Sequence, residues 1–514
     1  MAQRGLSGML VGNILVTAAA RFPDREAFFC SGTGRRFTFR QVNERANRLA
    51  NGLLSLGLRK GDVVAFLSTN RVEVVEIYFA LAKSGIVGLP LNYRLAPVEL
   101  VELASSMGAR GLLIEHGHDE AAAQLRNGVP DIGHTVVIGE AQPAHGTGYE
   151  ALLASASPDE PQAEVDEGDP FYFNLTSGTT GLPKSYVMTQ YNMSTMFPMF
   201  HSHRLSENDV ALTVFPMFGR VGFGWALGTV MYGARNVIAN FEPAAALRLI
   251  ETERVTIVNL VATMAAMLLA SDRLPGADLS SLRGTTFVGS ALPEKIRNET
   301  IRRICPNLYE YYGMQETGAL VVSTPEDRAR RPDSVGRPIL FAEVRVVDDA
   351  GRPVPAGELG EVIGRSPNSV TAYWENPEKS AETFRDGWIH TGDLGRIDGE
   401  GYLFISGRKK DMIITGGQNV HASEVESAVL GCEGVADCAV IGLPDDFWGE
   451  RVAAVVVAAE GAAVDREAVI RECRSRLAGF KTPKEVIVQH EPLPRTPTGK
   501  VQKFLLVERY ATKS

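Results

Sequence analysis

Between residues 35 and 270 the chain switches repeatedly between two hydrophobic patterns. The stretch Thr38–Leu58, TFRQVNERANRLANGLLSLGL, has apolar residues at helical spacing, and Thr38 is suited to cap its start. GDVVAFLS then reads as a buried strand, VEVVEIYFALAKSG as a helix stopped by Gly85, and IVGLPLN as a strand again. Further strand-like pieces follow in TVVIGE, VALTVFPMF, ARNVIAN and VTIVNLV. Such alternation is built from βα units, and βα units demand largely parallel sheets covered on both faces. At 514 residues there is enough chain for several domains or subdomains with ample core.

The character changes near residue 335. FAEVRVVDDAGRPVPAGELGEVIGRS reads as strand, turn, strand, with Asp-Ala-Gly and Pro-Ala-Gly at the turns, which predicts a small β-rich segment. From about residue 410 the pattern predicts a compact α+β unit: SEVESAVL and DREAVIRECRSRL as helices, VADCAVIGLP and RVAAVVVAAE as strands. Ser423 and Glu426 have the spacing of a capping box. No repeat or low-complexity linker separates these parts. The domain boundaries expected are 1–409 and 410–514.

Composition removes some classes of function. Hydrophobic residues make up 45% and charged residues 22%, ordinary for a globular protein. A net charge of −9 argues against a nucleic-acid surface. The five cysteines, Cys30, Cys305, Cys432, Cys438 and Cys473, form no CxxC pair, so zinc is not expected and reduced thiols in a cytoplasmic protein are. His201 and His203 are close in sequence, but two histidines alone more often sit on a surface than in a metal site. The N-terminus has no signal-peptide pattern. The longest apolar run, Val255–Ala270, is too short to span a bilayer, carries Asn259 and reads as a buried helix.

The first stretch with chemical character is FNLTSGTTGLPKS, Phe173–Ser185. Thr176, Ser177, Thr179 and Thr180 supply hydroxyls, Gly178 and Gly181 let backbone N–H groups approach an anion, and Lys184 adds positive charge. The spacing is not that of the common ATP-binding loop, which has four residues between its glycines and ends Gly-Lys-Ser/Thr. Alone, this stretch could also be a Ser/Thr-rich surface loop. GFGWALG, Gly222–Gly228, has the wrong spacing for a dinucleotide loop.

The stretch is followed in order by YYGMQETG (Tyr311–Gly318), HTGDLG (His390–Gly395), GRKKDMIITGGQNVHASEVE (Gly407–Glu426) and PRTPTGKVQK (Pro494–Lys503). With these five ordered motifs the chain resembles the adenylate-forming superfamily of acyl-CoA synthetases, stand-alone adenylation domains and firefly-type luciferases, over nearly its whole length. It is most similar to a bacterial acyl-CoA synthetase. The resemblance implies an α/β multi-subdomain protein: a large N-terminal domain of two αβ subdomains plus a small β subdomain, and a mobile α+β C-terminal domain.

The resemblance also implies two half-reactions. A carboxylate attacks the α-phosphate of Mg-ATP to give acyl-adenylate and pyrophosphate, and a thiol, usually of coenzyme A, then displaces AMP. Such catalysis consists mainly of positioning and charge stabilisation. By the same resemblance, Thr176, Ser177, Gly178, Thr179, Thr180, Gly181 and Lys184 wrap the β- and γ-phosphates. Tyr312, Gly313 and Gln315 line the ATP site, and Glu316 holds Mg2+. Asp393 accepts the ribose hydroxyls, Arg408 contacts ribose or phosphate, and Lys500 bridges the acid and the α-phosphate. Lys410 is the hinge, and Gly417 and Asn419 face coenzyme A. Phe218, Gly219, Phe223, Gly289, Ser290 and Ala291, with Trp225 and Leu292, fall in segments flanking the acyl group. They are mostly apolar or small, so an apolar tail or aryl ring fits better than a polar acid. No acidic residue stands where amino-acid activators hold an ammonium.

Four positions depart from the family pattern: Ser185 where glycine is usual, Gly219 for histidine, Gln315 for threonine and Ala262 for proline. None removes a charge the chemistry requires, and together they suggest an unusual acyl pocket. Two other readings stand beside acid–coenzyme A ligation. One is an adenylation enzyme loading a carrier-protein phosphopantetheine. The other is a nucleotide-binding regulator without catalysis. The expected partners are small molecules, with neither nucleic acid nor an integral membrane segment.

Overall fold

The computed structural model describes residues 8–139, 143–175, 185–289, 292–459, 461–495 and 501–511. Among these residues the chain forms four sheets, two large and two small. The seven-stranded sheet has a parallel core of Val63–Leu67, Val87–Pro90, Ala109–Glu115, His134–Ile138 and Pro170–Leu175, with Ser185–Thr189 antiparallel at its edge. The nine-stranded sheet runs parallel through Glu26–Cys30, Arg235–Ile238, Val210–Thr213, Ile257–Leu260, Gly284–Phe287 and Leu308–Met314. Both its edges are antiparallel: Arg35–Thr38 on Glu26–Cys30 at one, and Gly318–Ser323 folding back on Leu308–Met314 at the other.

Local chemistry sets these elements. Helix Phe39–Ser55 starts at a capping box in which Thr38 Oγ1 accepts from Gln41 N and Gln41 Oε1 accepts from Thr38 N. Such a cap contributes about 1 kcal/mol. Its buried face, including Phe39, Val42, Ala46, Leu49 and Leu53, packs on helix Val72–Ser84, which is buried throughout. The charges on that second helix are therefore paired. Glu76 receives Arg45 at 2.6 and 3.1 Å and Tyr149 at 2.7 Å, and Lys83 meets Glu160 at 2.8 Å. Removing one partner from such a buried pair strands a charge and is more damaging than the pair is stabilising.

Between the two large sheets lies an aromatic core. Phe223 stacks face to face on Tyr78 at 3.8 Å, and Phe171 and Tyr172 meet both rings edge-on. Each fully buried ring of this kind is worth about 1.5–3 kcal/mol in burial alone. The small β subdomain is the antiparallel set Glu343–Val347, Gly360–Arg365, Phe384–Arg385, Trp388–Ile397 and Leu403–Arg408. After one turn of 3-10 helix, Lys409–Asp411, the chain enters a separate five-stranded sheet carrying helices Ala422–Leu430, Arg466–Arg476 and Lys503–Ala511.

Two sequence readings are corrected. Val255–Ala270 is not one buried helix. It is strand Ile257–Leu260 followed by helix Ala262–Leu269, with Met267 half exposed. An apolar run of this length fits a buried strand and a helix equally, and the parallel sheet claimed its first half. Ser423 does not cap its helix. The helix begins at Ala422 with His421 before it, and Ser423 Oγ instead donates to the Ser406 carbonyl at 2.6 Å. Glu426 accepts from Val440 N and pairs with Lys503 at 2.7 Å. No helix among the described residues is long and apolar enough to cross a membrane.

Candidate active site

Two hydrogen-bonded clusters carry the motif residues. The first joins hairpin Leu308–Met314/Gly318–Ser323 to the small β subdomain. Asp393 is buried, and Arg408 Nε donates to its Oδ1 at 2.6 Å while the Tyr312 hydroxyl donates to its Oδ2 at 2.7 Å. The two strands present Asp393 and Arg408 as direct register partners. Thr391 Oγ1 accepts from Asp393 N at 3.0 Å and donates to the Val362 carbonyl at 2.7 Å. Burial, followed by the Asp393 charge, holds the Tyr312 hydroxyl well above the ordinary phenol range, so it remains a donor. A cleft of about 300 Å3 opens beside this cluster, lined by Gly392, Arg408, Lys409 and Lys410.

The second cluster surrounds the turn at Gln315–Thr317. Glu316 is 6% exposed, and its Oε1 accepts the Tyr373 hydroxyl at 2.7 Å. Burial and the Glu316 charge raise the Tyr373 phenol, which again keeps it a donor. The Gln315 carbonyl accepts from Tyr186 Oη at 2.7 Å and from Arg220 Nη1, and Gln315 Oε1 accepts from Asn174 Nδ2 at 3.1 Å. Gly313 is required by the hairpin: a Cβ there would lie 2.0 Å from the Gly318 carbonyl oxygen.

A magnesium ion fits this arrangement. Among the described residues no three His, Cys, Asp or Glu side chains could jointly hold a metal. Glu316, one buried carboxylate, would suit a Mg2+ that takes its other places from phosphates and water, the usual style for this hard cation.

Other expected residues are placed as follows. Phe218 packs edge-to-face on Tyr93 at 5.4 Å. The space around Gly219 is open, with only the Pro216 carbonyl 3.6 Å from where a Cβ would be. Phe223 belongs to the inter-sheet core, and Trp225, 1% exposed, packs on Phe200 and lies 5.8 Å from the His203 ring. Gly289 is exposed and Leu292 buried. Ala262 is the first residue of its helix, where proline is also accepted, so this departure is mild. Ser185 is buried at the start of its strand, and its carbonyl accepts from Trp374 N at 2.7 Å. Lys410 is exposed in the 3-10 turn. Gly417 and Asn419 are exposed at the turn end of hairpin Met412–Thr415/Gln418–His421, outside both clusters. Thr176, Ser177, Gly178, Thr179, Thr180, Gly181, Lys184, Ser290, Ala291 and Lys500 lie outside the described residues.

Sequence reasoning missed Asn174, Tyr186, Arg220, Tyr373 and Thr391. Asn174 and Thr391 lay inside the motifs FNLTSGTTGLPKS and HTGDLG, and Arg220 was the lone charge of its helix; Tyr186 and Tyr373 carried no such signal.

Comparison with known proteins shows the family. Residues 15–374 match the AMP-binding enzyme family and residues 424–500 match the AMP-binding enzyme C-terminal domain. The chain belongs to the AMP-binding enzyme family. It is an adenylate-forming enzyme of the acyl-CoA synthetase type. It is 37% identical over 512 residues to a feruloyl-CoA synthase of an Amycolatopsis species, covering 97% of this chain and 99% of that one. It is 36% identical to an indoleacetate–CoA ligase of Aromatoleum aromaticum, covering 94% and 93%. The solved anthranilate CoA ligase AuaEII in complex with anthranoyl-AMP superposes with a TM-score of 0.89 at 28% identity, over 98% of each chain.

Proposed function

We propose that this chain joins an apolar or aryl carboxylic acid to coenzyme A through an acyl-adenylate. In the first half-reaction a carboxylate oxygen attacks the α-phosphorus of ATP, the bond to the β-phosphate bridging oxygen breaks, and pyrophosphate leaves. In the second the thiol gives up its proton, its sulfur attacks the acyl carbon, and AMP leaves with the former carboxylate oxygen.

The observation that carries this reading is the Tyr312–Asp393–Arg408 cluster, which ties the hairpin bearing Glu316 at its turn to strands Trp388–Ile397 and Leu403–Arg408 of the small β subdomain. A buried carboxylate fixed by two donors is prepared to accept from a diol, so Asp393 takes the ribose and Arg408 steadies it. Glu316 would hold Mg2+, whose bound charge offsets that of the phosphates. Thr176–Lys184 hold the leaving pyrophosphate, and Lys500 spans the acid and the α-phosphate. The 410–514 unit turns about Lys410 between the half-reactions and brings Gly417 and Asn419 to the thiol substrate. The names of the relatives, feruloyl and indoleacetate ligases, favour an aromatic acid.

A panel of carboxylic acids, scored for pyrophosphate release with and without coenzyme A, tests the reading. Release with aryl acids, followed by coenzyme A-dependent AMP formation, supports it. Transfer only to a carrier-protein phosphopantetheine replaces coenzyme A as acceptor. No acid-dependent release across the panel refutes it.

A further inference from the structure

Arg220 opens helix Arg220–Tyr232 and is its only charged residue. Arg220 is 4% exposed, and its guanidinium donates to two backbone carbonyls: Nη1 to Gln315 and Nη2 to Asn368 at 2.8 Å. Among the described residues no carboxylate pairs with it. Burying a guanidinium without a counter-ion is costly, by several kcal/mol, and neutral acceptors offset only part of that. The site is nevertheless built around it. Gly318 has a left-handed φ of +69°, and a Cβ there would lie 2.7 Å from Arg220 Nη2. Asn368, whose carbonyl takes Nη2, is itself tied down through Nδ2 to the Asn192 carbonyl at 2.7 Å and Thr195 Oγ1 at 3.1 Å.

The Gln315 side chain shows what this charge is for. Its carbonyl is held from two directions, by Arg220 Nη1 and by the Tyr186 hydroxyl. Burial keeps that hydroxyl protonated. Its side-chain Oε1 is held by Asn174 Nδ2. Asn174 and Tyr186 lie on the strands just before and just after residues 176–184, so both flanks of the phosphate-binding motif are tied to this one turn. A carboxamide has one acceptor end and one NH2 donor end. With the oxygen turned to Asn174, the NH2 is the end left to donate.

We propose that Arg220 is a positioning residue for adenylation: its guanidinium fixes the Gln315 carbonyl so that the Gln315 side chain presents its NH2 to the phosphoryl oxygens at the reacting α-phosphorus. This rests on the reading of the site as an adenylating centre and extends it to two residues that interact through one carbonyl.

A double-mutant cycle on acid-dependent ATP–pyrophosphate exchange tests the proposal, with Arg220→Met, Gln315→Ala and the double variant. Loss of one positioned donor to a transition-state oxygen costs about 100-fold in kcat. The expected result is a fall of about 100-fold for each single variant, with KM for ATP changed by less than about three-fold, and a double variant no slower than Gln315→Ala. Arg220→Lys, which keeps charge and one donor, recovers part of the rate, and it replaces the Met variant in the cycle if that variant does not fold. Losses that multiply to about 10,000-fold overturn the proposal, as does an Arg220→Met enzyme with unchanged kcat and only a lowered melting temperature. A wild-type chain without exchange activity overturns the parent reading instead.

Discussion

Arg408 and Asp393 face each other across two antiparallel strands, and Arg408 Nε donates to Asp393 Oδ1 at 2.6 Å. Tyr312 holds the other carboxylate oxygen at 2.7 Å. If this carboxylate receives the ribose, removing its charge weakens ATP binding and leaves acid binding alone. A hydrogen bond to a charged group is worth about 1.5–3 kcal/mol, so Asp393→Asn is expected to raise KM for ATP by about 10- to 100-fold. Tyr312→Phe, which removes one orienting donor, is expected to raise it by about five-fold. Steady-state kinetics with ATP and acid varied separately reads both. An unchanged KM for ATP in Asp393→Asn would remove the ribose from this carboxylate.

Glu316 and Tyr373 form a second testable pair, since the Tyr373 hydroxyl donates to Glu316 Oε1 at 2.7 Å. That bond orients the carboxylate, and partners of this kind typically change metal affinity by about 10- to 100-fold when removed. Glu316→Gln is expected to raise the Mg2+ concentration for half-maximal pyrophosphate exchange by at least about ten-fold, with Tyr373→Phe intermediate. Magnesium titrations of the three proteins decide the matter. Superimposable titration curves would mean that Glu316 holds no metal.

His203 supplies a prediction about stability rather than catalysis. Contrary to the surface position its sequence suggested, the ring is fully buried against Tyr309 at 4.4 Å, and its Nε2 meets Thr286 Oγ1 at 3.2 Å. Burial, with Arg283 adding to it and Asp209 opposing, pushes its pKa down to about 3. The unfolded chain takes up this proton near pH 6.5, whereas the folded chain refuses it until about pH 3. Between those values the unfolded state binds more protons, so stability rises with pH there, with a slope of at most about 1.4 kcal/mol per pH unit from this residue. The contribution is complete above pH 6.5 and lost as pH falls toward 3. Urea unfolding across that range is expected to show a shallower pH dependence in His203→Gln, which has no imidazole to charge. Parallel pH profiles would show that other groups dominate.

The parts of the fold that were legible are those governed by local rules. Thr38 and Gln41 make their capping box from four consecutive residues, and Gly85 ends its helix with a left-handed φ of +71°. The βα alternation led to parallel sheets because a strand buried on both faces must read as a continuous apolar run. Val255–Ala270 failed for the same reason, since a continuous run does not say where strand yields to helix. Ser423 failed because its hydroxyl had a competitor: the Ser406 carbonyl, seventeen positions away. The site divides in the same way. Tyr312, Asp393 and Arg408 sit in ordered motifs and meet in space. Asn174, Tyr186 and Tyr373 act through partners 57 to 141 positions distant, and no spacing rule reaches that far.

The division of labour between the two ends of the chain can be separated by two substitutions. Lys410 lies in the 3-10 turn Lys409–Asp411, between strand Leu403–Arg408 of the small β subdomain and strand Met412–Thr415 of the C-terminal sheet. In the arrangement seen here, Ser423 Oγ holds the Ser406 carbonyl at 2.6 Å, so any rotation about Lys410 must break that bond. Proline fixes φ near −65° and denies the backbone the change a hinge needs. Lys410→Pro is therefore expected to retain acid-dependent pyrophosphate exchange within about three-fold while slowing thioester formation by about 100-fold or more. Lys500→Ala is expected to do the reverse, abolishing exchange while preformed acyl-adenylate is still converted to thioester. Single-turnover measurements of each half-reaction on both variants distinguish the roles. If Lys410→Pro makes thioester at the wild-type rate, rotation does not occur at this residue, and if Lys500→Ala slows both halves equally, the lysine serves the fold or both steps rather than adenylation alone.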